Sequence, residues 1–373
     1  VTVICPSYGR LHHSEGMRYE SRITVPFDAT TLSVECWQRV DDNGVTHVVL
    51  AHPGFNGDGK GTIYHDDGPT RPFATDATRF ALLSAAATVW LLTHAEEDAV
   101  VHLHDWHAAP IAVLREYEPR ANDLKRWRTV FSLHNLAIQG IRPLDGDASS
   151  LASWFPALSV HERVVADPRY PNCFNPVLAG IRLTDAVNTV SPTNAREILQ
   201  PDDPARGFRG GEGIDEALRE ANAQGRLHGI LNGCDYEVDT SRMDWDAVRD
   251  RISLTLHYWR QGDRVNAALH ELALENFEKR SATRPSMLLT SVGRLTDQKV
   301  GIPLRRLDDG RTALEHALDA LDDDGMLALI GTGDPELETA LVEASRRDSR
   351  LVFLRGFSEH LADALYRGGD LFL

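Results

Sequence analysis

The segment Ser291–Lys299, SVGRLTDQK, determines how the rest of the chain is interpreted. The apolar run Met287–Thr290 precedes it and predicts a strand that ends at a loop carrying Arg294 and Lys299. About one βαβ unit later, the run Leu327–Ile330 ends at Gly331-Thr332-Gly333. Cations and exposed backbone amides at adjacent strand ends are the groups that bind a diphosphate. Each signal taken alone is also compatible with an ordinary solvated loop.

Length and composition limit the class of protein. The 373 residues predict two domains, and 42% hydrophobic with 25% charged residues is typical of a soluble globular protein. A net charge of −16 argues against a nucleic-acid partner, which would need a basic face. No apolar run reaches the roughly 18–20 residues of a membrane span. Four scattered cysteines without a CxxC pair predict no disulfide framework, no thiolate metal site and a cytoplasmic location.

The charge is also unusual in type. Only four lysines are present, and nearly all other cations are arginine. An acidic, lysine-poor surface suits a halophilic source, and a GC-rich genome would equally explain the arginine excess.

The periodicity predicts an α/β protein with parallel sheets, in two Rossmann-like, doubly wound domains. The N-terminal domain is predicted over residues 1–281, with a bridging helical region at about 244–281. A partial C-terminal domain is predicted over residues 282–373, and its last strand-like run, Leu371–Leu373, has nothing after it. The chain is therefore expected to be an internal fragment of a longer protein.

Polar residues follow three other predicted strands. The segment His102–His107, HLHDWH, lies at the carboxyl end of the strand predicted over Ala99–His104, and Asp105, just past that end, is its residue best placed to face a ligand. His134 ends the next strand, and Asn232 ends the apolar pair Ile230-Leu231. The histidines could hold a metal, make structural hydrogen bonds or contact a sugar or phosphate, and Asn232-Gly233 could be an ordinary turn.

Several common catalytic motifs are missing from the sequence. It contains no P-loop, no GxSxG nucleophile elbow and no DxD-like element near the strand ends. Without a metal, protein cations would have to neutralise a phosphate leaving group. We therefore predict no metal and no cofactor.

Together these residues resemble the bacterial and archaeal glycogen (starch) synthases, which are retaining glucosyltransferases of GT-B architecture, with two domains facing a cleft. Seven segments match in the family's order: residues 101–108 (VHLHDWHA), 131–140 (FSLHNLAIQG), 187–198 (VNTVSPTNAREI), 229–235 (GILNGCD), 294–299 (RLTDQK), 331–338 (GTGDPELE) and 356–359 (GFSE).

The resemblance implies a role for each candidate residue. Asp105 and His134 would line the glucose side of the cleft, and Asn232 would hold a glucose hydroxyl. Arg294 and Lys299 would clamp the diphosphate of ADP-glucose or UDP-glucose, the donor. Glucose would then pass, with retention, to the non-reducing end of an α-1,4-glucan. The substrate-binding set is completed by a glycine-rich turn (Gly331, Thr332 and Gly333).

Two differences from the family bear on activity. The family's Lys-x-Gly-Gly-Leu loop would precede Val1, and its Glu-x-Cys-Gly-Leu segment would follow Leu373, so the chain is expected to be weakly active at best. Smaller differences are Val300 in place of glycine and Asn194 in place of tyrosine. A related GT-B enzyme acting on a small acceptor, or a non-catalytic glucan-binding fragment, are the alternatives.

Overall fold

The structure is a computed structural model that describes residues 1–56, 63–65, 67–234, 240–263 and 265–373. It divides into two compact units, Val1–Cys234 and Asp235–Leu373. No helix in the described ranges is both long and apolar enough to cross a bilayer.

The first unit contains two four-stranded sheets. Its strands within the described residues are β1 (Thr2–Pro6), β2 (Arg18–Phe27), β3 (Thr30–Val40), β4 (Thr46–Ala51), β5 (Val100–His104), β6 (Arg128–Leu133), β7 (Arg142–Pro143), β8 (Cys173–Phe174), β9 (Ala186–Thr189) and β10 (Leu227–Gly229). Its α-helices there are α1 (Ala74–His94), α2 (Asp105–Ala108), α3 (Pro110–Tyr117), α4 (Leu151–Trp154), α5 (Glu162–Val165), α6 (Pro176–Leu183), α7 (Pro192–Glu197) and α8 (Asp215–Ala223). The sheet orders are β1-β4-β3-β2 and β10-β9-β6-β5, and β7 pairs with β8 separately.

The sheet containing β5 and β6 is parallel throughout, as predicted. The other sheet differs from the prediction, because β2 and β3 form an antiparallel hairpin. Its turn uses Asp28 and Ala29, both at positive φ (49° and 53°), which suits the twist of a two-residue hairpin. Apolar residues stand at every second position here, at Ile23, Val25 and Phe27, and all three are buried. This period-two pattern in the sequence could have revealed the strand.

The second unit is a parallel sheet of order β13-β12-β11-β14 with helices on both faces. Its strands in the described ranges are β11 (Leu288–Val292), β12 (Met326–Gly331), β13 (Leu351–Arg355) and β14 (Leu371–Phe372). The helices there are α9 (Trp245–Gly262), α10 (Ala267–Glu278), α11 (Ile302–Leu304), α12 (Ala313–Asp319), α13 (Pro335–Arg347) and α14 (Glu359–Gly368), with one π-helical turn at Asp297–Gly301.

The domain boundary lies earlier than the predicted 281/282. Side chains of β12 alternate between two cores: Ala328 and Ile330 join one, and Leu327 joins the other. Val248 from α9 and Leu274 from α10 are buried in the first of these cores. Residues 245–278 therefore belong to the second unit, because their apolar faces cover one side of its sheet.

Candidate active site

Asp105 and His134 are joined by a direct hydrogen bond in the first unit. Asp105 immediately follows β5 and begins α2, and His134 immediately follows β6. The backbone N–H of His134 donates to Asp105 Oδ1 over 2.8 Å. Asp105 has φ = 53°, an uncommon conformation for a non-glycine residue. The ends of β5 and β6 therefore bring these two residues together, and the backbone at Asp105 is locally strained.

The neighbouring histidines form hydrogen bonds with each other and with the sheet. The ring centroids of His102 and His104 lie 4.2 Å apart, so both point to the same face of β5, as the alternation of side chains along a strand requires. His104 Nδ1 lies 3.0 Å from His134 Nε2, and His102 Nε2 lies 2.6 Å from Ser132 Oγ. The Ser132 hydroxyl in turn donates to Asn188 Oδ1 over 2.6 Å. These side chains form a hydrogen-bonded array at the edge of the sheet.

The electrostatics of the array favour neutral rings. Partial burial lowers the pKa of His104, and the neighbouring His102 and His134 lower it further. The pKa of His102 is lowered for the same reasons, by burial and then by His134. No group of three or more His, Cys, Asp or Glu residues in the described ranges has a metal-binding arrangement. Neutral imidazoles can both donate and accept hydrogen bonds, which suits recognition of sugar hydroxyls.

His107 is the more deeply placed histidine of the motif. Its ring packs edge-on against Phe80 at 4.5 Å, and its Nε2 lies 3.1 Å from the Tyr64 hydroxyl. Burial lowers the pKa of His107 to about 4, although the Asp105 carboxylate acts in the opposite direction. His107 is therefore a neutral packing residue that supports the start of α2.

The loop after His134 is fixed by two residues to which the sequence analysis gave no role. A Cβ on Gly140 (φ = 65°) would lie 2.2 Å from the Trp106 ring, so only glycine fits there. Buried Gln139 donates to the Leu136 and Glu212 carbonyls, at 3.1 and 3.0 Å. Its Oε1 accepts from Arg169 and Asn175, at 2.8 and 2.6 Å. The amide side chain is thus fully hydrogen-bonded, which rigidifies the loop that carries His134.

Asn232 lies at the end of the first unit, beyond its last strand. The predicted strand continuing through Ile230-Leu231 is wrong, because β10 ends at Gly229. Ile230 and Leu231 are 57% and 72% exposed, and Asn232 is also exposed. In the described part of the chain, no hydrogen bond joins Asn232 to Asp105 or His134.

Arg294 and Lys299 follow β11 in the second unit, and both are exposed. The backbone around Arg294 extends the β11–β12 ladder, because Gly293 N–H donates to the Ile330 carbonyl over 3.1 Å. Lys299 folds back over this segment, with Nζ 3.8 Å from where a Cβ on Gly293 would lie. Among the described side chains, which do not include those of Asp297 and Gln298, neither cation has a carboxylate partner within 4.0 Å. The structure therefore brings two exposed positive charges to the segment that follows β11.

The glycine-rich turn lies directly against this segment. Cβ atoms on Gly331 and Gly333 would lie 2.1 and 2.2 Å from the carbonyl oxygens of Gly293 and Leu295. The glycines are thus required for close backbone approach. The Gly333 N–H, expected to be open to a phosphate, instead donates to Glu338 Oε1 over 2.9 Å. Glu338 belongs to a matched segment but was given no role by the sequence analysis.

Comparison with solved structures identifies the fold class. The catalytic domain of starch synthase IV from Arabidopsis thaliana, bound to ADP and acarbose, matches with a TM-score of 0.67 at 22% identity. The match covers 95% of this chain and 66% of that chain. The α/β fold with parallel sheets is therefore that of a GT-B starch synthase catalytic domain, as predicted.

Sequence comparison defines the family. The family model described as the starch synthase catalytic domain matches residues 1–220. The glycogen synthase of Anaeromyxobacter sp. (strain Fw109-5) is 34% identical over 383 residues, covering all of this chain and 70% of that protein. The glycogen synthase of Variovorax paradoxus (strain S110) is 32% identical, covering 83% of this chain and 57% of that protein. This chain belongs to the starch synthase catalytic domain family of glycosyltransferases, and its matches span 57–70% of the length of the three proteins named above.

Proposed function

We propose that the protein transfers glucose, with retention of configuration, from a nucleoside-diphosphate glucose to the non-reducing end of an α-1,4-glucan. The observation that carries this proposal is the pair of exposed cations Arg294 and Lys299 in the segment that follows β11. In a chain with a net charge of −16, such a pair is a local attraction for an anion. Family membership favours the diphosphate of the donor as that anion.

The cations would act mainly on the leaving group. As the bond between the anomeric carbon and the diphosphate oxygen breaks, negative charge grows on that oxygen. Arg294 and Lys299 would stabilise this charge more strongly than the charge of the intact donor, which is the requirement for catalysis. The 4-hydroxyl oxygen of the glucan would then form the new bond to the anomeric carbon on the face from which the diphosphate departs, and the hydroxyl proton would pass to the departing diphosphate oxygen.

Residues of the first unit would orient the sugar. The Asp105–His134 pair and the neutral ring of His104 offer acceptors and donors for glucose hydroxyls. Asn232, which is exposed, would supply one further hydrogen bond. No metal or other cofactor is part of the proposal, since protein cations perform the neutralisation.

ADP-glucose is the first donor to test, because the structurally similar Arabidopsis domain is bound to ADP and acarbose. The complete product of the gene encoding this chain would be assayed beside the chain itself, following radioactive glucose from ADP-glucose or UDP-glucose into glycogen. Incorporation that depends on Arg294 and Lys299 supports the proposal. If the complete protein incorporates glucose from neither donor, the proposal fails. Transfer to a small acceptor alone, or glycogen binding without turnover, would establish one of the two alternatives.

A further inference from the structure

A buried carboxylate lies behind the glycine-rich turn. Glu338, on α13, is 8% exposed. Its Oε1 accepts the Gly333 N–H over 2.9 Å, and its Oε2 accepts Arg355 Nε over 2.6 Å. A carboxylate this buried is costly unless it is paired and hydrogen-bonded. Both oxygens of Glu338 are hydrogen-bonded: Oε1 to Gly333 in the turn, and Oε2 to Arg355 at the end of β13.

The Arg355 end of this pair is itself fixed. Arg355 pairs in register with Gly331, and the Gly356 N–H donates to the Gly331 carbonyl over 3.3 Å. A Cβ on Gly356 would lie 2.5 Å from the Trp259 ring, so the backbone packs tightly against α9. Arg355 therefore offers Glu338 a rigid anchor.

The turn transmits this position to the segment that carries the cations. Leu295 N–H donates to the Thr332 carbonyl over 3.0 Å, and Asp334 N–H donates to the Leu295 carbonyl over 2.9 Å. Leu295 and Gly333 form a parallel bridge. Since Leu295 is 1% exposed and Arg294 immediately precedes it, a shift of Gly333 would displace the backbone from which Arg294 projects.

These contacts change the interpretation of the turn. The N–H groups of Gly333 and Asp334 both donate to acceptors within the protein, to Glu338 and to the Leu295 carbonyl respectively. A carboxylate hydrogen-bonded to Gly333 would also repel a phosphate placed at that amide. The turn at Gly333 is thus better suited to support a phosphate-binding segment than to bind the phosphate itself.

We infer that Glu338, anchored by Arg355, is a positioning residue that sets the Arg294–Lys299 segment for the donor diphosphate. The inference rests on the proposed function. In this role Glu338 does not contact the substrate. The Gly333 N–H remains hydrogen-bonded to Glu338 and does not bind the donor.

The test compares Glu338→Ala, Glu338→Gln and the control Glu336→Ala in the complete protein. Glu336 is exposed at the start of the same helix, so its removal makes the same change in charge. Initial rates at varied ADP-glucose and at varied glycogen separate the two KM values, and calorimetric titration with ADP measures donor-site affinity without turnover.

We expect Glu338→Ala to raise the donor KM and the Kd for ADP about tenfold, the typical effect of losing a hydrogen bond to a charged group. The glycogen KM should stay unchanged. Glu338→Gln retains an acceptor for the Gly333 N–H, so its donor KM should lie closer to that of the wild type. Glu336→Ala should match the wild type. A donor KM and ADP affinity in Glu338→Ala equal to those of Glu336→Ala would overturn the inference.

A paired variant covers the case in which Glu338→Ala leaves Arg355 buried without its partner and fails to fold. Replacing both residues by leucine removes the charges together, which is often neutral for stability. This double variant should unfold near the wild-type temperature and still bind ADP about tenfold more weakly. Wild-type ADP affinity in the double variant would overturn the inference.

If the wild type transfers no glucose yet binds ADP in a Glu338-dependent way, the proposed function fails and the positioning role stands.

Discussion

Asp105 and His134 in the first unit are linked to each other and to a hydrogen-bonded row of histidines. Arg294 and Lys299 in the second unit are exposed, and none of the described carboxylates pairs with them. The first pair is held by direct hydrogen bonds, whereas the second pair consists of exposed charges on a hydrogen-bonded backbone. The contrast allows the hydrogen-bonded pair and the exposed cations to be tested separately.

The contrast predicts its largest effect at Lys299. Lys299→Ala should reduce kcat for glucose transfer by about 10²–10³-fold, or about 3–4 kcal/mol, because one charged donor to the leaving group is lost. Arg294→Ala should behave in the same way. The measurement is steady-state incorporation of glucose into glycogen, with circular dichroism to verify folding.

Lys279→Ala is the matched control, since it removes an exposed lysine from the same unit. Near-normal turnover in Lys299→Ala, or an equal loss in Lys279→Ala, would contradict the assignment of the cations to the leaving group.

A smaller loss of activity is expected from changing Asp105, which is hydrogen-bonded to His134 in the first unit. Asp105→Ala removes the acceptor of the His134 N–H and should lower kcat/KM by about 10–100-fold. Asp105→Asn keeps an acceptor oxygen and tolerates φ = 53°, so it should retain more activity. Equal losses in the two variants would show that this hydrogen bond is not what Asp105 contributes.

Features that depend only on residues close together in the sequence, such as the ends of strands, could be predicted. The strands that end shortly before Asp105, His134 and Arg294 follow from apolar runs interrupted by polar residues. The Glu338–Arg355 pair could not be predicted, because it joins positions 17 residues apart on different elements. The boundary at Cys234 was missed for a related reason: the periodicity of α9 shows that it has an apolar face but not which sheet that face covers.

The packing of Gly140 against Trp106 tests how rigidly the first unit holds the loop that follows His134. Gly140→Ala places a Cβ 2.2 Å from the Trp106 ring, whereas a Cβ on Gly146 meets nothing within 4 Å. Both glycines have positive φ, 65° and 75°, so both alanine variants carry a similar backbone cost. Gly140→Ala should therefore lower the free energy of unfolding by about 1–3 kcal/mol more than Gly146→Ala, through overpacking alone. Urea unfolding measures this difference, and equal values would mean that Trp106 can move away without cost.

The last prediction concerns the pH dependence of stability. Burial lowers the pKa of His107 from 6.5 to about 4. Between these values the unfolded chain binds a proton that the folded protein does not, so stability falls as the pH drops from 6.5 toward 4. His107→Gln should flatten this decline by up to about 1.4 kcal/mol per pH unit in urea unfolding. Tyr64→Phe removes the hydroxyl but leaves His107 packed against Phe80, so it should keep the wild-type slope. A wild-type slope in His107→Gln would instead assign the acid sensitivity to the more exposed His102 and His104, whose pKa values are also lowered.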